Sequence, residues 1–431
     1  MFELQKLLHK FLPKWGYNAI RILWINLQIF IIKFRHSFLV KSIGGKTKIK
    51  VVFLVYDRSV WKCEGVYDAF ARSDRYEVSI LVCPIINIEE SESKKKIEEC
   101  FKFFSERQYK VHLAEYSRHK LDDADIVFFT NPHNITKPEY YNRLFFRKLC
   151  CYIPYSHQIS NYDNNYAQYN RPFHNLMWKI FAPQDEELEL FKEFSVNKGK
   201  NVVISGYPGV EQLLENSSSS LRGEQAWKAQ SKCDKKKIIW APHHTVHNAH
   251  LKFSNFYSQA DLILSLSDKY KEQTQWCFKP HPLLFSNLMN DGVWSEDKIV
   301  DFYNIWQKSE NKQLELGAYI DIFKQSDAMI HDSGSFLAEY LYLNKPVMHL
   351  AETEEVTNYL NDFGISCYNV CSKNNTGNLA IEPFIKDVIN NIDRGFEDRN
   401  KFVELLKQRY FPSINSPSNF IFNHINSYFV N

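Results

Sequence analysis

The chain has no apolar stretch of the roughly 20 residues that a membrane-spanning helix needs. Its longest mostly apolar run, Ile22–Ile32 (ILWINLQIFII), covers eleven of the 431 residues and is bracketed by Arg21 and Lys33. No Cys-x-x-Cys occurs, and the nine cysteines are odd in number and irregularly spaced. That excludes a disulfide framework and fits thiols kept reduced in the cytosol; the Cys367/Cys371 pair reads as buried structure. No cleavable signal peptide and no internal repeat is visible. A strong charge bias is also missing: at +3 overall, the chain lacks the basic excess of a protein that coats nucleic acid. Acidic residues are scarce in one place only. Between Met1 and Val55 the sole acid is Glu3, against ten Lys and Arg side chains. Apolar residues mixed with positive charge there predict a basic amphipathic helix over 1–48, lying on an anionic membrane face or packed on the first domain.

What is present is a strand–helix alternation too long for one core. Strand signals fall at Lys50–Tyr56, Tyr76–Val82, Ala124–Thr130, Cys151–Tyr155, Trp178–Pro183 and Asn201–Gly206. Helical patterns lie at Val66–Ser73, Ser93–Glu106, Pro138–Lys148 and Asp185–Phe194. A Ser- and Lys-rich break over 213–236 reads as a linker. A second set follows, with strands at Lys237–Ala241, Gln275–Lys279, Ala328–Ile330 and Pro346–Leu350, and helices at Phe256–Lys269, Ile320–Lys324 and Ser335–Leu343. The expectation is an α/β, GT-B-like protein: two Rossmann-like domains, 49–212 on the acceptor side and 237–410 on the donor side, facing a cleft, with a helical tail at 411–431.

Three motifs sit just beyond the carboxyl ends of second-half strands, where open parallel sheets bind ligands. The first is Pro242-His243-His244. The second is Lys279-Pro280-His281-Pro282, whose prolines hold His281 in an extended turn, where it can donate to or protonate a phosphate. The third is His331-Asp332-Ser333-Gly334-Ser335, a strand end turning into a helix start, whose free N–H groups suit a diphosphate. Glu339, one turn on, is positioned to bind ribose hydroxyls. The run His243, His244, His247, His250 matches no zinc spacing, and no metal or other cofactor is expected. Gly45-Lys46-Thr47 mimics a P-loop end, but Val40 stands where its first glycine belongs.

Together these motifs resemble the CDP-glycerol glycerophosphotransferase family, which includes teichoic-acid glycerol-phosphate polymerases, primases and capsule enzymes. The matching positions are Trp240-Ala241-Pro242, Lys279-Pro280-His281-Pro282, Asp332-Ser333-Gly334-Ser335, Lys345-Pro346 and Gly206-Tyr207-Pro208. The resemblance implies a GT-B fold, a CDP-alcohol donor, no required metal and attachment to the inner membrane face. The chain departs from the family in three places. His243-His244-Thr245 replace an aromatic-basic-acidic run, Lys279 stands where Arg is common, and Pro154-Tyr155-Ser156-His157 only loosely echoes a Trp-His-Gly motif. These departures fit a capsule branch. The mechanism implied is attack by a lipid-linked or oligosaccharide hydroxyl on the outer phosphorus of a CDP-glycerol-like donor, with CMP leaving. His281 and Lys279 bind phosphate, His157 acts as base, and Asp332 orients His281 or binds the donor alcohol. Two other readings stay open: a nucleotide-sugar glycosyltransferase of the same fold, and an inactive scaffold of a polysaccharide assembly complex.

Overall fold

The computed structural model describes residues 14–161, 165–214, 226–229, 234–247, 253–317, 319–351, 354–374, 377–411 and 416–430. His250 and most of the 213–236 stretch fall outside these residues. The chain divides into two compact units. Unit 1 takes 1–155, 164–209 and 410–431; unit 2 takes 156–163 and 210–409.

Unit 1 is built on a seven-stranded parallel sheet: β1 (Ile49–Val55), β2 (Tyr76–Val82), β3 (Val111–Leu113), β4 (Ile126–Phe129), β5 (Leu149–Tyr152), β6 (Lys179–Ala182) and β7 (Val202–Ile204). The spatial order is β3-β2-β1-β4-β5-β6-β7. β1 reads IKVVFLV, and all but Lys50 of it is buried, as a central strand covered on both faces requires. The segment Pro138–Lys148 does not form the helix its pattern suggests; only Pro138–Tyr140 makes a 3-10 turn. Its two consecutive tyrosines have separate partners. Tyr140 Oη donates to the Ala114 carbonyl at 3.2 Å and Tyr141 Oη to that of Pro132 at 2.7 Å. Tyr141 also stacks on Phe173, so tertiary aromatic packing overrides the helical period.

The C-terminal tail, with helix Pro417–Asn426, belongs to unit 1 and buries Ile421 and Ile425 in its core. Gly206 takes φ +76°, and a Cβ there would lie 2.6 Å from the Tyr410 carbonyl oxygen and 2.9 Å from Pro417 Cγ. Only glycine allows the tail that close.

The N-terminal helix runs Lys14–Gly44, and no glycine or proline interrupts it between Tyr17 and Ile43. Ile25, Ile29 and Ile32 form a helical stripe buried in unit 1's core. Leu23, Leu27, Phe30, Phe34 and Phe38 form a second stripe that is exposed. Apolar residues therefore occupy two faces, and the Ile20–Gly44 stretch has the length and composition of a membrane span. The buried stripe packs it on the unit 1 core, while most of the apolar stretch stays exposed.

Unit 2 carries a six-stranded parallel sheet: β8 (Lys236–Ala241), β9 (Thr274–Phe278), β10 (Lys312–Leu314), β11 (Ala328–His331), β12 (Val347–His349) and β13 (Ser372–Lys373). Its order is β10-β9-β8-β11-β12-β13. Trp240 stacks on Phe278 and Phe256 beneath it. Helices Leu284–Asp291 and Glu296–Lys308 cover the β9 side; the second is capped by Ser295 and buries Ile299, Phe302, Tyr303 and Trp306 along one face. Within the supposed linker, Trp227 is no surface residue: it is 1% exposed and donates from Nε1 to the Ile322 carbonyl at 3.2 Å. The eight described cysteines are all free and buried.

Candidate functional site

In unit 2 the chain leaves β8 toward β9 and β10 on one side, then returns to build β11, β12 and β13 on the other. The loops after β8 and β11 therefore diverge, opening a crevice at the carboxyl edge. The three motifs follow β8, β9 and β11, which are adjacent strands. The His281 N–H donates to the Pro242 carbonyl at 3.1 Å and the Lys279 N–H to that of Trp240 at 2.8 Å, which locks the first two motifs together.

His243, His244 and His281 converge. One ring nitrogen from each lies within 4.8 Å of one from each of the others, and the ring centroids are 4.2–5.3 Å apart. Such a group suggests a metal site, but its hydrogen bonds have the opposite polarity. The Leu283 N–H donates to His281 Nδ1 at 3.1 Å. The Asn287 amide faces His244 Nδ1 at 3.3 Å and donates to the His244 carbonyl at 2.8 Å. Thr245 Oγ1 sits 2.9 Å from His243 Nδ1. A metal-binding imidazole donates its second N–H to an acceptor and offers a bare nitrogen to the ion. Here donors meet Nδ1 of His281 and His244, so their neutral rings carry the proton on Nε2. The cluster presents N–H groups, which suit phosphate oxygens. Burial, then the neighbouring His244 and Lys279, lowers the His281 pKa to about 3. Burial, then His244 and His281, holds His243 well below its ordinary value. Both rings are thus neutral at physiological pH.

Other sequence-predicted residues stand behind this cluster. Asp332 is 1% exposed, and its two oxygens accept the backbone N–H groups of His243 and Asn255. It pins the β8 loop across the switch point and therefore acts through His243; it is not free to orient His281 or bind an alcohol. Burial raises its pKa to about 7 against the lowering effect of those bonds. His331 is fully buried with Nδ1 on the Ser333 carbonyl, and Glu339 is 1% exposed and accepts the Tyr319 hydroxyl. Both side chains are buried, each with a partner inside the protein. The helix after β11 is short, Gly334–Glu339, and the Ser333 side chain makes no cap bond. A Cβ at Gly334 would sit 3.7 Å from Ile159, so this helix start is covered. Ser335 is half-buried and Lys279 is 5% exposed. His157 lies in the 156–163 segment of unit 2, not with the unit 1 sheet. It is 3% exposed and packs against Tyr342 and Phe363, so its ring is a packing group here and not an open base.

Sequence reading missed Asn287 and Asn255. Asn287 lies one turn into a helix with no recognisable motif, and only the fold brings it to His244.

The two doubly wound units define a GT-B-like α/β fold. Solved structures agree. The wall teichoic acid polymerase TagF superposes with a TM-score of 0.57 at 15% identity, over 95% of this chain and 96% of that one. A putative UDP-N-acetylglucosamine 2-epimerase from Listeria monocytogenes gives 0.51 at 14% identity, over 88% and 95%. Residues 155–365, just under half of the chain, match the family described as CDP-Glycerol:Poly(glycerophosphate) glycerophosphotransferase, a match that supports a CDP-glycerol glycerophosphotransferase-like enzyme. No curated protein matches it by sequence.

Proposed function

We propose that the chain transfers a glycerol-phosphate or related alditol-phosphate unit from a CDP-linked donor to a hydroxyl of a lipid-linked or oligosaccharide acceptor. The product belongs to a teichoic-acid-like or capsule polymer, and CMP is released. The observation that carries this reading is the cluster of neutral imidazoles at the switch point, with Nε2–H of His244 and His281 left for phosphate oxygens. One TagF variant structure comes from a 15 minute soak with CDPG.

In the proposed reaction the acceptor oxygen bonds to the phosphorus distal to the nucleoside. The bond from that phosphorus to the CMP oxygen breaks, and the hydroxyl proton passes to solvent or a base. Charge grows on the departing phosphate, where fixed N–H donors stabilise it without reorganising. Buried Lys279 adds a positive charge beside His281. No step calls for a metal ion.

The exposed stripe on the N-terminal helix, flanked by Arg21, Lys33, Arg35 and Lys41, supports a peripheral position on the anionic cytoplasmic face of the membrane. There the enzyme would meet a lipid-linked acceptor. The deciding assay is acceptor-dependent CMP release from CDP-glycerol and CDP-ribitol. His281→Ala should lower turnover by about 10²–10³, the effect of losing one preorganised donor. A folded wild-type protein that releases no CMP from any CDP-alditol overturns the assignment.

A further inference from the structure

A second feature touches the histidine cluster from outside. A cavity of about 520 Å³ opens between the β8 loop and helix Leu284–Asp291, lined among others by His244, Val246, His247, Asn287, Asn290 and Asp291. Its volume is in the range of ligand pockets. His244 belongs to both the cluster and the cavity wall, so the cavity lies next to the imidazoles.

The lining is largely apolar, through Val246 and Leu283 among others, with a few polar groups set into it. Asp291 accepts the Tyr257 hydroxyl and, at 3.0 Å, the Val293 N–H, and lies 3.5 Å from His247 Nε2. Its side chain is only 8% exposed, so the carboxylate is fixed in place. Asn287 uses its amide nitrogen on His244, and its Oδ1 has no partner among the described residues. Asn290 is exposed and its side chain likewise has no partner there. Two amides, a carboxylate and an imidazole form a set that exchanges hydrogen bonds with several hydroxyls. Among the described residues no aromatic ring except imidazole lines the cavity, so they offer a nucleobase no stacking face.

Building on the donor reading above, we infer that this cavity receives the polyhydroxy alcohol end of the donor while the imidazoles hold its phosphate. It is thus the part of unit 2 that selects among CDP-alditols. Asn290 and Val246 are then specificity positions, and Asn287 serves both halves of the donor.

The test uses Asn290→Trp, an exposed helix position whose indole would fill the cavity, with Val246→Trp as a second variant. KM is measured for whichever of CDP-glycerol and CDP-ribitol the wild-type enzyme turns over, together with the inhibition constant of CDP, which lacks the alcohol. The inference expects KM to rise at least tenfold in a folded variant while the CDP constant stays within twofold. Equal weakening of both would place the nucleotide in the cavity, and no change in either would leave the cavity outside the donor site; each overturns the inference but spares the donor reading. If the wild-type enzyme turns over no CDP-alditol, the donor reading fails first and the inference with it.

Discussion

At the scale of single residues, the site depends on which atom of each imidazole is already engaged. Asn287 holds His244 at two points. Asn287→Leu should lower kcat by about tenfold, the worth of a misplaced ~1 to 1.5 kcal/mol hydrogen bond. The melting temperature should barely move, because the position is not fully buried; a parallel loss of both would mark Asn287 as merely structural. Asp332→Ala is the contrasting case. It orphans two N–H groups in a buried place, at about 1–3 kcal/mol each, so thermal melts should fall by several degrees.

Titration follows from the same burial. His281 and His331 have folded pKa values of about 3 and 4, below the unfolded 6.5. The unfolded chain therefore binds more protons under pH 6.5, and stability falls as pH drops from there toward 3. Asp332 works in the other direction. Its folded value of about 7 exceeds the unfolded 3.8, so its contribution is present below 3.8 and is lost as pH rises through 7. Denaturant melts should therefore show a loss on the acid side beginning near pH 6.5. A flat profile between pH 4 and 6.5 would contradict the neutral, buried state of these rings.

At the scale of elements, the N-terminal helix separates packing from docking. Phe30→Glu with Phe34→Glu alters only exposed positions, where substitutions stay within about 0.5 kcal/mol. The pair should abolish co-sedimentation with phosphatidylglycerol vesicles yet leave the melting curve unchanged. Ile29→Glu, on the buried stripe, should lower the melting temperature instead. Gly364 shows a different constraint. A Cβ there would lie 2.4 Å from the Ile159 carbonyl oxygen. Gly364→Ala must push back the 156–163 segment, which also carries His157. Hydrogen exchange should then rise over that segment more than elsewhere.

At the scale of the whole molecule, the sequence by itself determined the parallel α/β class and the principal strands. Their runs are continuous and apolar because central parallel strands are buried on both faces. It also determined the three motifs and their places after β8, β9 and β11, since Pro, Gly and His punctuate strand ends wherever the fold puts them. Tertiary structure decided the rest. Strand order made the three loops neighbours, a fact that no local pattern encodes. Burial decided that His331, Glu339 and Asp332 serve the scaffold, while His243, His244 and His281 meet in a cluster. The short β10 and β13 carry too few periodic residues to stand out, whereas helix Glu296–Lys308 does carry the helical period, with Ile299, Phe302, Tyr303 and Trp306 on its buried face. The proton positions on the imidazoles depend on Leu283 and Asn287, whose relevance comes only from where the backbone and one distant helix happen to lie.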